Sequence, residues 1–293
     1  MAGNLKEVRE RIKSVQNTQQ ITKAMKMVSA AKFRKAQQAI VQMRPYSNKL
    51  NAMLRNILSN LGSDVSSSFG QQRPIERACL VVVTSNRGLC GAFNTNVIKA
   101  ASQLLNNEYA EAAAKGNLDI LCIGKKGYDF FRKRHAKVIG DYVELFSDLS
   151  FDNVSKVSER LMKAFEDKTY DSIIVAYGRF KNAATQFPEA EQFLPVVKLE
   201  SGESNQKADY IFEPGQEGLL EHLIPSILQI QFHKYLLDTQ ASEHGARMTA
   251  MDKATDNAEE MLRELRINYN KARQEAITGE ILEIVGGAAA LSN

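Results

Sequence analysis

The apolar positions of this chain fall into two kinds of pattern. From Ser226 to Val285 sixty residues pass without a proline, interrupted only by Gly245 and Gly279. Ala241, His244, Met248, Met251, Thr255, Ala258, Leu262, Leu265, Tyr269, Ala272 and Ala276 recur in alternating steps of three and four. A sustained 3-4 seam predicts one long coiled-coil helix, about 90 Å in length at roughly 1.5 Å per residue. Asn4 to Arg44 holds neither Gly nor Pro, and Leu5, Val8, Ile12 and Val15 begin a second seam. There the apolar positions drift to Ile21, Met25 and Val28, while Gln19, Thr22, Lys26 and Ser29 fill the strict heptad, the drift expected of a weakly supercoiled helix. Leu50, Leu54, Ile57 and Leu58 extend an apolar face beyond a kink expected at Pro45.

Between these helices the period changes. Ala78 to Thr84 is a short continuous apolar run, the pattern of a buried strand. The glycine loop Asn86 to Ala92 and a helix to about Asn107 follow it. Leu118 to Ile123, Lys137 to Phe146 and Asp171 to Tyr177 read as further strands, and Phe187 to Leu199 as a fifth extended segment. Helices are expected after Gly124 and over Val154 to Phe165. Strands alternating with helices predict a mainly parallel sheet covered on both faces. The expected organisation is an N-terminal coiled-coil helix (1–61), a polar linker (62–74), an α/β domain (75–208), a return segment broken or kinked at Pro225 (209–225), and a C-terminal helix with its tip (226–293). Toward the tip Ile281, Leu282, Ile284 and Val285 crowd the helix, and Gly286 to Leu291 is then small and apolar all round, which calls for a sleeve rather than a single partner helix.

Charge then supplies a partner for the long helix. Residues 1–60 carry twelve Lys or Arg against two Glu, residues 61–209 carry nineteen of each sign, and residues 210–293 carry seven basic against thirteen acidic. A basic arm alone would suggest nucleic acid, with Lys23, Lys26, Lys32, Arg34 and Lys35 as its phosphate contacts. A basic end with an acidic counterpart in the same chain suggests that the two ends pair. A basic coiled-coil nucleic-acid-binding protein is the alternative. Three scattered cysteines exclude a disulfide framework and a zinc site and fit a reducing compartment. The charged start lacks a secretory h-region, and no run is long enough to span a membrane.

Little of the remaining chemistry is catalytic. SNRGLCG stands where a nucleotide fold places its phosphate turn, but it lacks GxGxxG, and a structural turn is the better reading. Cys90 has no histidine near it in sequence, so an inert thiol is expected. His222, His233 and His244 recur every eleven residues, about 16 Å apart on a helix, too far to share a metal. No catalytic residue, metal site or cofactor is expected.

Ile12 to Ala30 (IKSVQNTQQITKAMKMVSA) resembles the N-terminal motif of the γ subunits of F-type ATP synthases. The resemblance returns at Thr84–Gly91, Arg247–Asn257 and Tyr269–Ala290. It implies an antiparallel coiled coil of the terminal helices with an inserted Rossmann-like α/β domain. It further implies a central rotor shaft without a catalytic site of its own, coupling proton-driven c-ring rotation to ATP synthesis or hydrolysis in a hexamer of α and β subunits. The implied partners are those α and β subunits, the ε subunit and the membrane c-ring. The chain would be peripheral, on the cytoplasmic face of a bacterial inner membrane or the matrix side of a mitochondrial one. Arg273 and Gln274 match the pair that hydrogen-bonds a β-subunit loop, and Met25 the position facing β near the neck. Tyr210 and Glu213 match the c-ring contacts. The redox-regulatory insertion with two close cysteines is absent.

Overall fold

A computed structural model of the chain describes residues 2–61, 68–135, 137–183, 185–196 and 216–291. They form two compact units, residues 1–29 with 248–293, and residues 30–247. The expected apolar face at Leu54, Ile57 and Leu58 and the expected contacts Tyr210 and Glu213 lie outside the described residues, the former at side-chain level only.

The larger unit is built on a five-stranded sheet. Strands β1 (Ala78–Val83), β2 (Leu118–Ile123), β3 (Val138–Ile139), β4 (Ser172–Phe180) and β5 (Gln186–Leu194) lie in the order β3-β2-β1-β4-β5. The first four are mutually parallel and β5 is antiparallel to β4. Every side chain of β1 is buried, because both faces of the sheet are covered. On one face Leu80, Val82, Ile120 and Cys122 meet Phe93, Val97 and Leu105 of α2 (Phe93–Asn106) and Phe131 of α4 (Lys125–Phe131). A one-turn helix, α3 (Ala110–Ala114), follows α2. On the other face Val81, Leu121, Val175 and Tyr177 meet Val154, Val157, Leu161 and Phe165, the apolar stripe of α5 (Phe151–Glu166).

That second face is completed by a helix from the far end of the sequence. Ile224, Ile227, Leu228, Phe232, Tyr235 and Leu236 of α6 (Gln216–Leu291) are buried in the same core. α6 therefore begins well before Ser226, and it runs through Pro225 rather than breaking there. Burial of Ile224, Ile227 and Leu228 around the proline offsets the lost backbone hydrogen bond. The first helix, α1 (Ala2–Leu61), is likewise continuous through Pro45. In this unit its residues Ala36 and Ile40 pack on Leu237 and Ala241 of α6.

The segment expected as a ten-residue third strand pairs over Val138–Ile139 only. At Gly140 a β-carbon would come within 2.6 Å of the Tyr128 ring, so the backbone is pressed against α4 there. The chain then turns back, Val143 N–H donates to Gly140 O (3.3 Å), and Gly124 N–H donates to Val143 O (3.1 Å). Tyr142, Leu145 and Phe146 still pack on the core, which explains why their pattern looked like a strand.

The smaller unit is a helix pair. Arg9 donates to Tyr269, Thr22 bonds Thr255, and Lys26 pairs with Asp252. As the first residue number rises the second falls by nearly the same amount, so the helices are antiparallel. Met251, Ala258, Leu262 and Leu265 of α6 are buried, and Met248, Thr255, Tyr269, Ala272 and Ala276 are half-buried, which is the expected seam. The α1 side departs from expectation. Its contact face does not drift onto Ile21 and Val28, which are 60% and 56% exposed, but stays on the polar heptad, with Thr22 and Ser29 only 9% and 3% exposed.

Candidate interaction surface on the helical pair

The polar seam works because each buried hydroxyl is satisfied. The Ser29 hydroxyl donates to Met25 O at 2.7 Å. Thr22 and Thr255 lie 2.9 Å apart across the seam, and each also reaches a carbonyl of its own helix, Gln19 O at 3.0 Å and Met251 O at 2.7 Å. With one proton apiece, one hydroxyl donates across the seam and the other donates to its own helix. Beside them Lys26 pairs with Asp252, both about half exposed. Further along, Arg9 donates to the Tyr269 hydroxyl at 2.8 Å and lies over its ring. Pairing of the basic and acidic ends thus rests, among the described residues of this unit, on one ion pair added to the seam.

Using small polar side chains inside leaves large apolar ones outside. Ile21, Met27 and Val28 of α1 are exposed, and on α6 so are Ile277, Ile281, Leu282, Ile284 and Val285. Met25 is half-buried beside Lys26, while Arg273 and Gln274 are exposed on α6. The register sets Met25 near Asp252, so Arg273 stands about 30 Å further along the helix at 1.5 Å per residue. These residues belong to one surface but not to one pocket.

The glycine loop of the larger unit is wired to itself and to α6. Ser85 N–H donates to Asn94 Oδ1 at 2.9 Å, and Asn94 Nδ2 donates to Ser85 Oγ at 2.8 Å and to Cys90 Sγ at 3.1 Å. Leu89 and Gly91 both take left-handed conformations (φ 62° and 60°). The carbonyls of Arg87 and Gly88 accept from Arg247 of α6 at 3.1 and 3.3 Å. A loop that presents carbonyls to a guanidinium has the wrong polarity for phosphate, which supports the structural-turn reading. Burial raises the Cys79 thiol above its ordinary range and pushes Cys122 up to about 12, so both stay protonated. Sequence reasoning passed over Arg247 as a contact. Its signal was the Glu243–Arg247 spacing, an i,i+4 pair in the favourable order.

A family model described as ATP synthase matches residues 4–291. The chain is 51% identical over 293 residues to the ATP synthase gamma chain of Cytophaga hutchinsonii, covering 99% of both chains. It is 52% identical over 290 residues to that of Flavobacterium johnsoniae, again covering 99% of each. The chain belongs to the ATP synthase gamma chain family. Its fold is found in the Euglena gracilis mitochondrial ATP synthase, OSCP/F1/c-ring in rotational state 3, with a TM-score of 0.69, 24% identity and coverage of 99% of this chain and 95% of that one. The rotor of the same enzyme in rotational state 1 matches with a TM-score of 0.61 and 23% identity, over 94% of this chain and 100% of that one. The nucleic-acid reading finds no support among these relatives.

Proposed function

We propose that this chain is the central rotor shaft of an F-type ATP synthase, coupling proton-driven c-ring rotation to ATP synthesis or hydrolysis in a hexamer of α and β subunits. The observation that carries the reading is the family match along the whole chain to relatives named gamma chain. The apolar side chains left exposed from Ile277 to Val285 support it, because a surface of that kind needs an enclosing partner. Catalysis belongs to the partners, and the shaft acts by contact. An asymmetric helix pair inside a three-fold ring makes different contacts with each β subunit. Only contacts that differ between β conformations shift their nucleotide affinity.

In this reading Arg273 and Gln274 bond a β-subunit loop. A guanidinium suits that task because its fork is planar and always charged. Met25 faces β lower on the pair, and the exposed Ile21 and Val28 flank it. Tyr210 and Glu213 rest on the c-ring, and the α/β unit binds the ε subunit. The chain itself is peripheral, on the cytoplasmic face of a bacterial inner membrane or on the matrix side of a mitochondrial one. Among the described residues no helix is long and apolar enough to cross a membrane.

Affinity-tagged chain expressed with α and β subunits is expected to carry both in a fixed ratio, and recovery of the chain alone would overturn the reading. In the reassembled complex Arg273→Ala is expected to lower torque and ATP-driven proton pumping several-fold, with the variant chain as stable as its parent. Rotation and pumping equal to the parent would remove Arg273 from the contact.

A further inference from the structure

In an open α/β sheet the place for a ligand is the crevice at the carboxyl ends of the strands where the strand order reverses. Here that point lies between β1 and β4, and the chain fills it with its own α6. At the end of β4, Gly178 N–H donates to the Thr239 hydroxyl at 3.3 Å, and the Ser242 hydroxyl donates to Gly178 O at 3.0 Å. A β-carbon at Gly178 would stand 3.5 Å from that of Ser242, so the helix passes directly over the strand end. At Gly245 a β-carbon would meet the backbone of Ala183 at 3.2 Å. At the end of β1, Arg247 spans the carbonyls of Arg87 and Gly88, as described above. Its other nitrogen donates to Glu243 at 2.6 Å, with both side chains about 10% exposed. His244 completes the cluster, its Nδ1 3.4 Å from the guanidinium.

These contacts, unlike most of those earlier in α6, are polar and grip the backbone at the strand ends. Ile224 to Leu236 are held mainly by apolar packing, which has no preferred direction, with side-chain hydrogen bonds to neighbouring elements from Gln229 to Glu159 (3.0 Å) and from the Tyr235 hydroxyl to Glu191 (2.9 Å). The contacts at Thr239, Ser242 and Arg247 are directional, and Ser242 and Arg247 project about 140° apart around a helix of 3.6 residues per turn. A helix gripped by hydrogen bonds on two such sides cannot roll or lift without breaking one of them. Arg247 is also the last residue of α6 that belongs to this unit. The loop it grips is rigidly preset, since Leu89 is held at positive φ and Asn94 ties both ends of the turn.

We infer that Arg247, fixed by Glu243, is a positioning residue for torque. It locks α6 to the β1 loop, so load on the α/β unit passes into the helix without slack. The crevice that would bind a small molecule in a related fold serves here as the socket of that joint. This inference rests on the shaft reading.

The test uses the full chain and the reassembled complex in sealed vesicles. With Arg247→Ala, amide exchange across residues 84–92 and 238–247 is expected to rise at least tenfold, while exchange across 224–236 stays at the parental rate. Protons pumped per ATP hydrolysed are expected to fall several-fold, with ATP hydrolysis retained. Arg247→Lys keeps the charge but offers no fork, so it is expected to show most of the same loss. It carries the test if the alanine variant fails to assemble. Parental exchange in both segments, or a parental pumping ratio in the lysine variant, would overturn the inference. A parent chain that assembles with no α or β subunit would instead overturn the shaft reading.

Discussion

The two units bury their apolar side chains to opposite degrees. Of the large apolar side chains exposed among the described residues, ten lie in the helix pair and five in the much longer α/β unit. In the α/β unit both sheet faces are covered, and its aromatic side chains Tyr177, Phe165, Phe193 and Phe232 are fully buried. In the helix pair part of the seam is hydroxyls and an ion pair, while isoleucines and valines face outward. Among the described residues, one unit covers its own core. The other is arranged as though half of its core were to be supplied by something else. A protein whose task is contact needs that division: one part must hold its shape under load, and the other must offer apolar surface to a partner.

The contrast is broken most forcefully in the core. Phe232 is fully buried, its ring 5.5 Å from that of Phe193. Phe232→Ala is expected to cost the α/β unit about 3–5 kcal/mol. The chain has no tryptophan, and the rings of Tyr177 and Tyr235 lie 4.5 Å apart, tilted by 43°, in this core, so near-ultraviolet tyrosine dichroism during urea unfolding reports it. Ile284→Ala on the helix pair, an exposed site, is expected to change stability by less than about 0.5 kcal/mol. A comparable loss at both sites would mean that the two surfaces are not differently satisfied.

The next effect is one of pH. Burial, then the neighbouring charges of Arg247 and Lys32, pushes the His244 pKa down to about 4 from an ordinary 6.5. The unfolded chain therefore binds this proton more readily than the folded one, and stability falls as pH drops from 6.5 toward 4. The full loss is at most about 3 kcal/mol. Glu243 works the other way. Burial raises its pKa against the opposing pull of Arg247, so its charged form costs stability as pH rises through that raised value. His244→Gln is expected to flatten the decline in urea midpoint between pH 6.5 and 4. An unchanged profile would place the acid sensitivity elsewhere.

How legible this was differs by region for physical reasons. β1, β2 and β4 were readable because strands buried on both faces become unbroken apolar runs. The third strand was over-read, since Tyr142, Leu145 and Phe146 serve the core from a turn and a short 3-10 segment rather than from a ladder. Pro225 reads as a break or kink because local propensity carries no information about the packing that holds a helix through it. The seam of α6 was plain in its spacing, whereas that of α1 misled. Hydrophobicity favoured Ile21 and Val28, and nothing local says that two threonines 233 positions apart will satisfy one another. Met25, Arg273 and Gln274 came from resemblance alone, since a contact made with another chain leaves no trace in this chain's own periodicity. The Arg247 joint was half visible: Glu243 stood at the right spacing, but the carbonyls it serves lie about 160 residues away.

The smallest effect probes the seam itself. Thr255→Val removes one hydroxyl of the cross-seam bond and leaves Thr22 with only its Gln19 carbonyl, at an expected cost of about 1 kcal/mol. Thr22→Val together with Thr255→Val removes both hydroxyls and replaces them with side chains of the same shape. That double variant is expected to recover the loss or exceed the parent, because apolar β-branched side chains suit a coiled-coil seam. A double-mutant cycle on the thermal unfolding of the helix pair reads the coupling directly. If the double variant is more stable, the parental seam is weaker than its sequence length allows. Its hydroxyls then act as a register pin, holding one alignment of the two helices and with it the outward setting of Ile21 and Val28. If the double variant is as unstable as the sum of the single ones, the hydroxyl pair is an ordinary stabilising contact, and the contrast between the two units reduces to one of exposed surface alone.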